Sequence, residues 1–271
     1  MRACLALLPF DDQQLSVLHY AVEVAPKLDL KVSGALVPPS QEIPAYLFDH
    51  AGLGVPHIPA RDETADEALR DGILGAWSEA QSSAAAFGNC EVLESVNEER
   101  ANAIGRCSDL VLALRPGTLA SPGYDLMVRA AIMEGGAPVA VLPPGQRTQS
   151  FDTIMVVWNG TLQSSRALRG ALGLIKAFKR VVVLRTRDVH GDSAASYLAA
   201  HGVEAEFKDL AIKGGSARER GRKIVEAARE EQADMVVMGA YSEGRVGRYL
   251  GFGGATEKVM TGAGVPVVFA R

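Results

Sequence analysis

The 271-residue chain is 48% hydrophobic and 22% charged, with 28 glycines and 13 prolines. That balance builds a packed core, excludes disorder, collagen and coiled coil, and at about 150 residues per unit fits two ordinary domains. Twenty-eight Lys and Arg against 32 Asp and Glu leave a net charge of -4, which gives no whole-chain footprint for a nucleic-acid partner.

Arg2 and the apolar run Ala3 to Phe10 resemble a short leader, but Asp11 and Asp12 interrupt the run before any small-x-small cleavage site. A first buried strand of a cytoplasmic protein is the expectation. Asp11 and Asp12 at its end read as a helix start rather than a metal pair. The strand KVSGALV follows, and after it Pro38 to Asp62 form a Pro- and Gly-rich insertion, expected to be a flap over the carboxyl ends of the first domain's strands. The longest apolar runs are about eight residues, against the roughly 18 to 20 of a membrane-spanning helix, so no membrane partner is expected. Cys4, Cys90 and Cys107 form no CxxC and cannot all pair, which suits a reducing compartment; Cys107, just ahead of a strand, is expected to be buried. The five histidines show no HExxH or metal-ligand spacing.

The chain is internally doubled. SDLVLALRP followed by MVRAAIMEGGAPVAVLPP parallels ADMVVMGAY followed by ATEKVMTGAGVPVVFAR; Asp109 to Pro138 spans 29 positions and Asp234 to Pro266 spans 32. Two domains follow, residues 1–143 and 151–271, with the seam at Pro143 to Ser150. In the second, TIMVVW, RVVVLR, VEAEFKDL, DMVVMG and PVVFA read as strands. Between them SSRALRGALGLIKAF, SAASYLAAH, ARERGRKIVEAAREEQ and ATEKVMTGA read as helices, with Ser216 and Glu219 as a capping box. Continuous Val runs suit strands covered on both faces, hence two doubly wound, five-stranded parallel α/β domains related by a pseudo-two-fold axis.

Chemistry points to Met238 to Val259, where Gly239 ends a strand and Gly253 and Gly254 precede a helix containing Thr256. Backbone amides at a helix N-terminus hold phosphate, because unpaired N–H groups and the positive end of the dipole face the anion. The segment is neither GxxxxGK[ST] nor GxGxxG, so a Walker ATPase and a Rossmann dehydrogenase are not supported.

On these motifs and the repeat, the chain resembles a tandem universal stress protein, two such domains of the adenine nucleotide alpha hydrolase-like class in one polypeptide. Nucleotide-binding members have a loop G-x2-G-x9-G-[ST] after the fourth strand and a V-x-x-D-G-S-type turn after the first. Here Gly239 matches the first glycine, Ser242 stands at the second, and Gly253 with Gly254 matches the end, one place further along. Asn159 replaces the acidic residue of the turn and Thr161 its Ser. The resemblance implies phosphates held by Gly239, Ser242, Gly253 and Gly254 with the Thr256 hydroxyl, a ribose reached by Asn159, and a base flanked by Leu184 and Arg185. It implies ATP, with Mg2+ if bound, as ligand of a cytoplasmic stress-response or regulatory module that is not an enzyme. Slow ATP hydrolysis at the same loop and a ligand-free interaction module are the alternatives. The first half, without the glycine loop, reads as a degenerate partner in which Arg115 carries no weight for binding. The last strands, Pro138 to Leu142 and Pro266 to Ala270, are expected to meet across the seam as an intramolecular pseudo-dimer, with further homo-oligomerisation open.

Overall fold

The structure, a computed structural model, describes residues 2–10, 15–38, 63–94, 98–118, 121–186, 193–210, 216–240 and 254–271. Asp11, Asp12 and, beyond Pro38, the insertion expected over 38–62 lie outside the described residues. The first half contributes strands β1 (Ala3–Pro9), β2 (Lys31–Val37), β3 (Phe87–Val92), β4 (Leu110–Leu114) and β5 (Val139–Leu142). The second contributes β6 (Thr153–Trp158), β7 (Arg180–Arg185), β8 (Glu206–Asp209), β9 (Met235–Gly239) and β10 (Val267–Ala270). They join in one ten-stranded sheet of order β3-β2-β1-β4-β5-β10-β9-β6-β7-β8. Each half runs 3-2-1-4-5 in its own numbering, the doubly wound order expected of it, and all pairings are parallel except β5 with β10. The seam strands thus pair as their positions in the repeat require.

Burial explains which segments became central strands. Every residue of β4, β5, β6 and β10 is buried, because helices cover both faces of a parallel sheet. The outer strands β3 and β8 are mostly exposed, and Arg180, Glu206, Lys208 and Glu231 form an ion-pair network at the β8 edge. Charged edges of this kind discourage pairing with other chains. The segment expected as one helix, SSRALRGALGLIKAF, is instead Leu162–Gly170 and Leu172–Ile175, broken at Ala171, whose φ of -90° and ψ of 6° leave the helical region. Cys107 is exposed rather than buried, since it falls in the turn before β4 and not in the strand.

The repeat extends to individual hydrogen bonds. Asp109 Oδ2 accepts from the Arg2 and Ala3 N–H groups at 2.6 and 3.0 Å, and Asp234 Oδ2 accepts from those of Asp152 and Thr153 at 3.1 and 2.8 Å. Each aspartate, one residue before its fourth strand, thereby ties down the start of its first. The pseudo-two-fold axis is located by two pairs. Ala140 faces Val268 in the antiparallel β5–β10 register, and Arg129 forks onto Glu257 at 3.1 and 3.3 Å; both pairs are 128 residues apart, the same offset as Pro138 from Pro266. A residue paired with its own counterpart lies on the axis.

One further group bonds across the seam, and another is buried within the first half. Arg115 Nη1 donates to the carbonyls of Thr261, Met260 and Ala263 at 2.6, 3.3 and 3.4 Å, closing the C-terminal end of the second half's last helix, where cations complement the dipole. Arg115 is thus a structural bridge between the halves. Asp125, in the helix Pro122–Glu134, accepts the Gly117 N–H at 2.9 Å through Oδ2, while Oδ1 is buried with no partner among the described residues. Burial pushes its carboxyl up to about 6. The folded state therefore holds a proton that the unfolded state loses near pH 4, so this group's contribution is full at low pH and is lost as pH rises through about 6. Asp125→Asn is expected to be more stable than wild type by a margin that grows between those pH values. Urea melts across that window test it, and a margin independent of pH contradicts the assignment.

Candidate functional site

The carboxyl ends of β6 and β9 are neighbours in the sheet, with Val157 opposite Met238. Asn159 follows β6, and its Oδ1 accepts from the Thr161 N–H at 3.2 Å and the Thr161 hydroxyl at 2.6 Å. Thr161 is in turn the N-cap of the helix Leu162–Gly170, with Oγ1 accepting from the Ser164 N–H at 3.3 Å. Gly160 supplies the left-handed backbone, φ 70°, that this turn needs. The Asn-Gly-Thr sequence is therefore a built helix entry whose carbonyl oxygen is already engaged.

Gly239 closes β9 directly beneath that entry. A Cβ there would lie 2.6 Å from the Gln163 carbonyl carbon and 2.7 Å from the Ser164 nitrogen, so only glycine lets the helix start against the strand end. The helix Ala255–Gly262 lies between β9 and β10 in the chain and returns antiparallel to them, which brings its N-terminus to the same carboxyl edge. Gly221 on the helix Ala217–Glu230 fixes it there, since a Cβ would lie 2.7 Å from Lys258 Cβ and 2.8 Å from the Ala255 carbonyl. Gly254 is the N-cap, with extended φ and ψ of -85° and 174°, and a Cβ built on it meets nothing within 4 Å among the described residues. Thr161 and Ser216 cap their own helices with side chains, whereas a glycine cap brings no side chain to its helix. Beside Gly254 a cavity of about 240 Å³ is lined by Arg218, Glu257, Lys258 and Thr261; the sequence reading did not single out its two cations, and its one carboxylate, Glu257, is engaged by Arg129.

Of the other expected site residues, Thr256 is buried in the first turn of the same helix. Leu184 is 3% exposed and belongs to the core under the helices. Arg185 lies beside Trp158 in the β6–β7 register and is held by Asp209 at 2.7 and 3.0 Å, over the Phe207 ring. Ser242 and Gly253 lie outside the described residues.

The corresponding edge of the first half is closed. Tyr124, fully buried, accepts the Leu114 N–H at 2.8 Å and donates to the Leu7 carbonyl at 3.0 Å, so its phenol bridges the ends of β4 and β1. The helix carrying it starts at Pro122, which by the 128-residue offset corresponds to position 250, five residues before the start at Ala255. By the same offset Tyr124 corresponds to Phe252, which lacks the hydroxyl, and Asp125 to Gly253. In the first half a carboxylate thus stands where the second half's sequence carries Gly253, and it accepts the Gly117 N–H.

Residues 215–271 match the family model of the universal stress protein family. That match covers only the last part of the C-terminal half. A universal stress protein from Archaeoglobus fulgidus DSM 4304 has a TM-score of 0.67 at 16% identity, over 98% of this chain and 96% of that one. A putative universal stress protein from Pseudomonas aeruginosa UCBPP-PA14 has 0.57 at 12%, over 100% and 93%. The cytoplasmic domain of a prokaryotic cation chloride cotransporter reaches 0.52 at 14%, over 99% and 95%. The universal stress protein fold accordingly extends over nearly the whole chain, and its appearance in a cotransporter domain shows that the fold alone assigns no activity. No curated protein sequence matches the chain. Among the described residues no helix is long and apolar enough to cross a membrane.

Proposed function

We propose that the C-terminal half binds an adenine nucleotide, ATP with Mg2+, at the carboxyl ends of β6 and β9, and that the chain is a cytoplasmic stress-response or regulatory module rather than an enzyme. The observation that carries the reading is the helix N-terminus at Gly254, capped by a residue with no side chain, with a Cβ there meeting none of the described atoms within 4 Å, and with Arg218 and Lys258 beside it. Phosphates at Gly254 meet the first-turn amides, the dipole and the Arg218 and Lys258 cations. Gly253 and Ser242 extend the cradle in this reading, and Mg2+ arrives on the triphosphate, whose oxygens and water supply most of its ligands. The Asn159 oxygen is occupied by Thr161, so its amide nitrogen is the group that faces the ribose. Arg185, at the end of β7, flanks the base, while Leu184 supports that edge from the core.

Calorimetric titration of ATP and AMP in the presence of Mg2+, with phosphate release followed in parallel, tests this. ATP is expected to bind more tightly than AMP, because the helix N-terminus acts on the added phosphates, and release is expected to stay at background. Steady release would make the chain a slow ATPase. No heat with either nucleotide would make it a ligand-free module.

A further inference from the structure

Between the two halves, on the side of the helix Leu162–Gly170, two cavities of about 540 and 680 Å³ share Gly136, Pro138, Arg169 and Gly170 and form one groove. Asp109 and Lys176 extend it at one end. Its counterpart under the pseudo-two-fold is filled. The aspartate pairs that anchor β1 and β6 equate Ala3 with Thr153, and the same offset aligns the buried faces Val17, Leu18, Ala21, Val24 and Ala25 with Ala167, Leu168, Ala171, Leu174 and Ile175. Gly170 and Gly173 therefore correspond to Tyr20 and Glu23, and Asp109 to Asp234.

In the filled groove the occupant is the chain's own linker. Gln149, 4% exposed, accepts from the Tyr20 hydroxyl at 2.8 Å and donates to the Asp234 carbonyl at 3.2 Å, and after Lys27 its N–H is a further group holding the Glu23 carboxyl below its usual range. On the helix that the linker crosses, Glu23 is paired with Lys27 at 2.6 Å, and burial together with the linker's Arg147 holds the His19 imidazole below its usual range. In the open groove both large side chains are replaced by glycine, which leaves room for an equivalent segment. The open groove also carries cations that its counterpart lacks. Arg166, Arg169 and Lys176 have no ion-pair partner among the described residues, and Arg271 has only Glu134, at 3.9 Å.

We propose that this groove is a docking site for an extended, acidic peptide segment of a partner protein, laid between the halves as the linker is laid in the counterpart. Main-chain and small polar side chains replace Gln149, and carboxylates meet Arg169 and Lys176. Steering by these charges makes the association salt-dependent. The site is independent of the nucleotide reading, since it shares no residue with it.

Fluorescence anisotropy with labelled octapeptides of alternating Glu and Ser, and of alternating Lys and Ser, tests it on the full chain. The Glu peptide is expected to bind at low ionic strength and the Lys peptide not to bind. Arg169→Glu with Lys176→Glu is expected to weaken the Glu peptide by roughly tenfold or more. Gly170→Tyr with Gly173→Glu, which copies the filled groove, is expected to do the same. The first pair changes exposed side chains only, so it reads out even if the second pair impairs folding. Equal binding of the two peptides, unchanged affinity in the charge-reversed variant, or displacement of the Glu peptide by saturating ATP would each overturn the proposal.

Discussion

Gly239→Leu is expected to destabilise the second half by roughly 3 kcal/mol or more, lowering Tm by about 6 to 12 °C, and to remove nucleotide binding with it. The physical reason is a backbone collision. The atoms nearest a Cβ at 239 are the Gln163 carbonyl carbon and the Ser164 nitrogen, which belong to the first turn of a helix and cannot swing aside as a side chain would. Relief requires the helix Leu162–Gly170 to lift from β9, exposing Ala167 and Leu168, which are now buried. Gly254→Ala is the control, because a Cβ there meets nothing within 4 Å and should leave Tm within about 2 °C of wild type. Leu114 occupies the position corresponding to Gly239, so the first half tolerates the side chain that the second cannot. Differential scanning calorimetry decides it: equal Tm values for Gly239→Leu and wild type would mean that the helix does not seat on the strand as described.

Arg129→Glu is expected to cost about 2 kcal/mol, since it places like charges together at a half-buried point of the pseudo-two-fold axis. Glu257 would face the new carboxylate, and Asp125, whose carboxyl already feels Glu257, would add a third. The swapped double variant, Arg129→Glu with Glu257→Arg, is expected to recover more than half of the loss, because the axis relates the two positions and the fork can form in reverse. A pair on such an axis also bears on assembly. Identical halves would oppose Arg to Arg or Glu to Glu, whereas fusing unequal halves permits opposite charges and favours the intramolecular partner. Additive losses in the double variant would contradict a direct interaction.

Much of the architecture was legible because it rests on short-range pattern. The Val runs of β6, β7 and β9 announce strands covered on both faces, and the repeat around Asp109 and Asp234 announces two copies. Ser216 caps its helix as its sequence suggests, accepting the Glu219 N–H at 3.1 Å. What escaped the sequence depends on which residues become neighbours. Arg115 could not be seen as a helix cap while its acceptors lay 145 to 148 residues away. Tyr124 and Asp125 became informative only after the seam register fixed the offset that equates them in sequence with Phe252 and Gly253. Leu184 looks like a strand-end residue able to face a ligand, yet helix packing assigns its side of the sheet to the core. Cys107 shows the converse, an apolar-looking neighbour of a strand left outside by the turn before it.

The unequal division of labour between the halves is tested most directly by titrating ATP with Mg2+ into wild type and Gly254→Asp. An aspartate at an extended N-cap position is a good cap, so the variant should keep or slightly raise the wild-type Tm. The same carboxylate accepts from a first-turn amide of the helix and repels phosphate. The predicted result is measurable ATP binding by wild type and a loss of roughly tenfold or more in the variant, with no loss of Tm. Wild-type affinity retained in Gly254→Asp would contradict the account, because the phosphates would then lie elsewhere than the helix N-terminus at Gly254.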